Sequence, residues 1–330
     1  MATRRRDGLF LLYSLLIAAG CLLICSESSP LYPINNWSDA NIFFSCGKGM
    51  LKGMVMYRDL YDHKGPLLYA LYMLCALIDS SGFLGVYLLE TLAVGLFLWA
   101  VYKLLSLYDI KESNWFLLPV AAAVVLSSTS FQQGGSAEEL CLPILAWSLV
   151  AVLRWQRTQA PARMRARQLL LHGFLCGAVL WIKFTMLGFY AAWIGGLFLY
   201  HLYHKEVRAA FSCVGYFLLG IVLATVPWLV YFGVNGAIGD WLKTYLYDNI
   251  FLYSAREAVS FGQQAKAILR AAWEWFWNNV AYTVPMLLGG LWFTLSPKYQ
   301  TADKRWMWLL FFFTALGVFI GGQEYVYYGL

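Results

Sequence analysis

The chain has 330 residues, 61% of them apolar and 13% charged, against roughly 25% charged in an ordinary soluble domain. With 22 Phe, 22 Tyr and 15 Trp, it carries more aromatic surface than one water-soluble core of this length hides, which excludes a disordered tail and makes lipid the natural solvent for much of it. The net charge of +6, from 24 Lys and Arg against 18 Asp and Glu, is read in a multi-pass membrane protein from its distribution over the loops, and nucleic-acid binding is not indicated.

Arg4-Arg5-Arg6 ahead of the apolar run Leu9 to Ile24 predicts a signal anchor that stays in the chain, with the amino terminus cytoplasmic. Further apolar stretches at 84–107, 114–131, 139–156, 169–185, 187–203, 209–233, 272–296 and 306–322 bring the expected spans to nine. Pro66 to Ile78 is apolar but short of spanning length, and is expected to lie on the outer face. With that parity, fifteen of the 24 cations fall on the inner side, including Lys103, Lys111, Arg154, Arg157, Arg163, Arg165 and Arg167, as the positive-inside bias requires. Eight, among them Arg256, fall outside, and Lys183 is left within a span. The expected fold is therefore an all-α polytopic bundle forming one domain over 1–330. Two long outer loops, 26–83 and 235–271, carry Trp37, Tyr57, Tyr61, Tyr69, Trp241, Tyr245, Tyr247 and Tyr253 as expected interfacial anchors.

In the first outer loop, Ser38 is expected to cap a helix beginning at Asp39 that presents Ile42, Phe43, Cys46, Met50 and Met54 on an apolar side. Then follows Tyr57-Arg58-Asp59-Leu60-Tyr61-Asp62-His63-Lys64-Gly65-Pro66, the densest group of ionisable residues in the chain. Taken singly, Asp39 stabilises a helix start, and Arg58, Asp59 and Asp62 form a solvated ion-pair group. Taken together, a carboxylate, several cations and an apolar boundary suit chemistry on a charged lipid head group.

Farther along, Glu138 and Glu139 follow Gly134-Gly135-Ser136, either as the acidic start of a helix or as ligands for acceptor or sugar. Lys183, in Trp181-Ile182-Lys183-Phe184-Thr185, either snorkels to the interface or meets a carrier phosphate. The seven cysteines have no zinc spacing and form no complete disulfide framework. His63, His172, His201 and His204 show no metal spacing, and His201 and His204 are read as solvated beside Lys205. Neither a GxxxxGK[ST] loop nor a GxSxG elbow is present.

The string Asp39-Ala40-Asn41 to Gly47-Lys48-Gly49, with Tyr57-Arg58-Asp59 and Asp62-His63-Lys64-Gly65-Pro66-Leu67-Leu68-Tyr69, resembles bacterial members of the GT-C glycosyltransferases, of the type of dolichyl-phosphate-mannose protein mannosyltransferases and the lipid A aminoarabinose transferase. The likeness extends more weakly to Gly135 through Glu139 and to Gly177 through Lys183. It implies transfer of a sugar from a polyprenyl-phosphate carrier to a lipid, glycan or protein acceptor on the outer side of a bacterial inner membrane. The family's outer-loop acid matches Asp39, followed here by Ala40 where many relatives carry a second acid. Its phosphate-binding Lys before a Pro matches Lys64, with Gly65 intervening. Relatives continue with more helices after Gly321-Gly322-Gln323-Glu324, so the chain is expected to be a shortened homologue or a fragment.

The chemistry of the residues leads the same way. A sugar hydroxyl needs a nearby base, for which Asp39 is the candidate. A lipid monophosphate leaving group needs cations, for which Lys64, Arg58 and Lys183 are candidates. Asp59, Asp62, His63, Glu138 and Glu139 are candidates for binding substrate. One base with direct displacement implies inversion. No cofactor is called for, and metal dependence is left open. A polytopic transporter or lipid-linked sugar flippase is the rival reading.

Overall fold

A computed structural model of the chain describes residues 2–110, 114–158, 163–253, 260–322 and 325–330. Lys111, Arg256, the Gln323-Glu324 pair and the side chain of Tyr253 lie outside what is described. Among the described residues there is no strand, and every regular element is a helix. In order, the helices are α1 (Ala2–Cys25), α2 (Ser38–Leu51), α3 (Pro66–Ile78), α4 (Leu84–Leu107), α5 (Asn114–Leu126), α6 (Ala137–Thr158), α7 (Ala166–Leu180), α8 (Gly188–Tyr203), α9 (Val207–Val234), α10 (Ile238–Trp241), α11 (Phe261–Asn278), α12 (Val280–Leu295) and α13 (Thr301–Phe319). A 3-10 turn over Phe184–Leu187 precedes α8, a π-helical stretch over Leu242–Tyr253 follows α10, and a second 3-10 turn, Val326–Gly329, closes the described chain.

Four stretches are long and apolar enough to cross a membrane: Arg5–Cys25, Leu84–Leu107, Phe184–Tyr203 and Val207–Val234. At 1.5 Å per residue, a 24-residue helix such as α4 spans about 36 Å, the thickness of a bilayer core with some tilt. Their packing is that of helices in lipid. Along α9, the small Ala209, Ala210, Cys213, Gly220 and Ala224 face inward while Phe211, Leu218, Leu219, Val222, Leu223 and Val230 are exposed. Gly173 and Gly177 of α7 meet Gly220 and Ala224 of α9 so closely that a Cβ on Gly173 would strike the Phe217 carbonyl, the small-residue crossing that drives association where lipid removes the hydrophobic incentive. The chain is a membrane protein.

Polar contacts sort the helix ends into two groups. At one end, Asp7 pairs with Lys103 at 2.5 Å, Arg157 with Asp303 at 3.4 Å, and Glu206 with both Arg163 at 3.4 Å and His201 at 2.8 Å. His201 is fully buried, which corrects its reading as solvated: α8 turns directly into α9 there, and the Glu206 carboxylate replaces water. At the other end, Glu27 N–H donates to the Gln133 carbonyl at 2.9 Å, Gly65 N–H to the Ile182 carbonyl at 3.1 Å, and Gln264 to the Ile320 carbonyl at 2.8 Å. Both ends of α3 lie in this second group, since Lys64 lines the same cavity as Lys183 while Asp79 borders a hollow with Glu27 to Ile34. At 13 residues it is about 20 Å long and returns to the end it started from.

Several expected boundaries shift, α5 ending at Leu126 and α7 at Leu180 among them, and two further changes show in side-chain hydrogen bonding. The 272–296 stretch is broken at Asn279, because its side chain accepts from Ser130 N–H at 3.0 Å and donates to the Trp275 carbonyl at 2.9 Å, ending α11 and turning the chain into α12. Ser38 is the first residue of α2 rather than its cap, and no side-chain cap bond is made there.

Candidate functional site

The site is built around α2, α3 and the loop between them. Gly47 lets α2 and α3 touch backbone to backbone at Tyr72 and Met73, and Phe43, Phe44 and Cys46 bury against this seam. The buried face thus runs through Ala40, Phe43, Phe44 and Gly47, whereas Ile42 and Met54 are exposed. Burial, with Asp62 nearby, pushes the Cys46 thiol up to about 12, so it is an inert packing group.

The loop that follows is a clamp on Lys64. Tyr57 sits in the left-handed region at φ 68°, a conformation a bulky residue adopts only when its surroundings hold it. Its hydroxyl donates to the Lys64 carbonyl at 2.7 Å. The Tyr69 hydroxyl accepts from Lys64 N–H at 2.9 Å and donates to Asp62 Oδ2 at 2.7 Å, and Asp62 Oδ1 accepts from His63 N–H at 2.8 Å. Burial, then the Asp62 charge, holds the Tyr69 hydroxyl well above its usual range, so it remains a donor. Asn249, from the π-helical stretch, donates to the His63 carbonyl at 2.9 Å. Tyr57, Tyr69, Trp241 and Tyr245 were expected at the interface and are instead buried; Tyr61 and Tyr247 are exposed as expected.

Gly65 explains itself by approach. A Cβ there would collide with the Trp181 carbonyl, while Gly65 N–H and Leu67 N–H bond the Ile182 and Trp181 carbonyls at 3.1 and 2.9 Å. This backbone pairing ties the start of α3 to the end of α7 and places Lys64 and Lys183 on one cavity of about 330 Å³. Asp39, Asp62 and His63 share its wall, with Tyr245, Asn249, Tyr327 and Tyr328. Asp62 is occupied on both oxygens by the clamp, whereas Asp39 is half-buried and accepts from the Tyr327 hydroxyl at 3.3 Å. Asp39 is thus the carboxylate better placed to take a proton from something in the cavity.

Lys183 is buried and paired with Glu138, itself buried. Neither snorkelling to the interface nor a bare ammonium describes it. Glu139 makes the helix start: Ser136 Oγ accepts from Glu139 N–H at 3.0 Å and the Glu139 carboxylate accepts from Gly135 N–H at 2.9 Å, a variant of the capping box. Glu138 and Glu139 are therefore neighbours with separate tasks, one in an ion pair and one in a cap. Behind Glu139 lies a buried acid that the sequence reading missed, Glu90, whose Oε2 accepts from Ser26 Oγ at 2.8 Å.

Arg58 and Asp59 stand apart. Arg58 chelates Asp59 through Nε at 3.0 Å and Nη2 at 2.9 Å, and its Nη1 donates to the Asn235 carbonyl at 2.9 Å. The Arg58 hydrogen bond, then the Val55 N–H, hold the Asp59 carboxyl down to about 2. Neither residue lines the cavity: the guanidinium straps the first loop to the end of α9. Among the described residues no group of three or more His, Cys, Asp or Glu side chains is gathered for a metal.

A second cavity, of about 370 Å³, adjoins the first and is almost wholly apolar, with Phe97, Leu145, Met186, Phe189, Phe311 and Phe319 in its wall. Val318 and Tyr328 belong to both cavities. Compared with known proteins, the chain matches no family model, no curated protein and no solved structure. Its chemistry is read from these two cavities.

Proposed function

We propose that the chain is an integral membrane glycosyltransferase of GT-C type, moving a sugar from a polyprenyl-phosphate donor to an acceptor on the outer face of the membrane. The observation that carries this reading is the meeting of Asp39, Lys64 and Lys183 on one cavity that shares a wall with an apolar one. A donor of this kind is a phosphate between a sugar and a hydrocarbon chain, and each part has a matching surface. Lys64 and Lys183 hold the phosphate and stabilise its charge as it leaves. The apolar cavity takes the first part of the chain. Asp39 accepts the proton of the acceptor hydroxyl as that oxygen attacks the anomeric carbon and the sugar–phosphate bond breaks, so the lipid phosphate departs with the electron pair and the anomeric centre inverts. In this reading the chain crosses about nine times, shorter apolar helices such as α5, α7 and α12 crossing beside the four long stretches, with the amino terminus cytoplasmic, and α2, α3 and the site lie outside.

One observation favours a transporter or flippase: the buried pair of Lys183 and Glu138, since buried charge in a membrane bundle also marks transport paths. A single assay separates the two. Membranes holding the chain are given a labelled polyprenyl-phosphate sugar. Transferase activity moves label into lipid, glycan or protein, and Asp39→Asn lowers the rate by about 10²- to 10⁴-fold with insertion unchanged. Movement of intact donor across the bilayer with no label transferred supports the rival, and full transfer by Asp39→Asn contradicts the assignment of the base.

A further inference from the structure

Tyr328 stands between the two cavities and touches the chemistry of both. Its ring centre lies 3.3 Å from Lys183 Nζ and 5.6 Å from Lys64 Nζ, and the residue is only 9% exposed, so the contact is made away from water, where an ammonium over an aromatic face is held most strongly. The backbone that carries the ring is fixed. Ser130 Oγ donates to the Val326 carbonyl at 2.7 Å, and the Trp275 indole N–H and Tyr282 hydroxyl donate to the Gly329 carbonyl at 3.0 and 3.2 Å. The ring packs against those of Tyr325 and Tyr327, with centres 5.3 and 5.0 Å away, so displacing it is a movement of the side chain within an aromatic cluster. The ring lies against Lys183 in the polar cavity and also walls the apolar one.

We infer that Tyr328 is a specificity-determining residue: its ring withholds the two ammonium groups from small soluble anions and yields them to an amphiphilic phosphate whose hydrocarbon part enters the adjoining cavity. A small anion offsets the broken ring contact with its charge alone and buries no hydrocarbon. An amphiphile reaches the ring from the apolar side, buries hydrocarbon against the wall that the ring vacates, and supplies a phosphate to both lysines in its place. The inference rests on the lipid-phosphate reading of the site and adds the device by which a soluble sugar phosphate is refused.

The test uses the full chain in an uncharged detergent, with methyl phosphate and dodecyl phosphate as probes and binding followed by tryptophan fluorescence. Wild type is expected to bind dodecyl phosphate in a Lys64-dependent manner and methyl phosphate poorly. Tyr328→Leu, which removes the aromatic face and leaves an apolar side chain, is expected to bind methyl phosphate about tenfold more tightly than wild type, and Tyr328→Phe, which keeps the face, to behave as wild type. Equal methyl phosphate affinity in wild type and Tyr328→Leu, with dodecyl phosphate still bound through Lys64, overturns the inference and leaves the lipid-phosphate reading standing. Lys64-independent or absent binding of both probes overturns that reading and the inference with it.

Discussion

Lys183 and Glu138 are 45 positions apart in the chain and are both buried, so each is tolerated only because of the other. Removing one partner of such a pair leaves a bare charge in a medium of low dielectric, at a cost of about 3–5 kcal/mol. Lys183→Ala and Glu138→Ala are each expected to lower thermal stability in detergent by that order, and the double substitution by less than the sum of the two. Strict additivity in the cycle would show that the pair does not act as one unit. Asp59 presents the opposite case of an exposed pair. Its carboxyl is held down to about 2, so its contribution is present above the unfolded value of about 4 and is lost as pH falls through about 2. The contribution is small, because both side chains are solvated. Resistance of the first loop to pepsin is expected to weaken over that acid window in wild type and to show no such dependence in Asp59→Asn; identical acid limbs would contradict the assignment. At this scale the sequence made Asp39, Asp62, His63, Lys64 and Lys183 legible as a group, because charge beside apolar sequence is conspicuous. It left Tyr327 and Tyr328 unread, since the contact between Asp39 and Tyr327 joins residues 288 positions apart and no local pattern announces it. The turn of Arg58 toward Asn235 rather than the cavity was not legible, because sequence proximity to Lys64 does not say which way a guanidinium turns.

Elements set the distance between the two lysines. Lys64 ends the clamped loop and Lys183 follows α7, and the backbone pairing at Gly65 and Leu67 with Trp181 and Ile182 is what brings them to one cavity. Gly65→Ala is expected to push these backbones apart, destabilising by about 1–3 kcal/mol and weakening Lys64-dependent binding of dodecyl phosphate. Unchanged melting and binding in that variant would show that the close approach is not required. The short apolar segment 66–78 was legible as a helix that does not traverse the bundle, because its length alone falls short. The break at Asn279 was not, because no Pro or Gly marks it and the signal is a pair of side-chain hydrogen bonds, one from the distant Ser130 N–H and one to the Trp275 carbonyl of α11. The burial of Tyr57, Tyr69 and Tyr245 was hidden for a related reason: an aromatic residue in an outer loop looks the same in sequence whether it anchors in lipid or closes a core.

Across the whole molecule, the two groups of helix ends give the bundle a polarity. One end carries the pairs Asp7–Lys103, Arg157–Asp303 and Arg163–Glu206, while the other carries the cavity with Asp39, Lys64 and Lys183. The large exposed residues of α9 and α12, including Leu219, Val230, Leu288 and Trp292, cover the flank between them. The sequence disclosed the helical, membrane-embedded character, since apolar length is a composition-level signal, and it disclosed the amphiphilic pairing of cavities not at all. That pairing carries the account. It is tested most directly by photo-cross-linking: a polyprenyl-phosphate analogue bearing a diazirine near its phosphate end is irradiated with the full chain in membranes, and the labelled peptides are mapped. The account predicts labels on the segments that wall the apolar cavity, α6, α13 and the turn at Val326–Gly329, reduced by Lys64→Ala. Labels confined to the end that carries Lys103 and Arg157, or spread evenly and indifferent to Lys64, would contradict it.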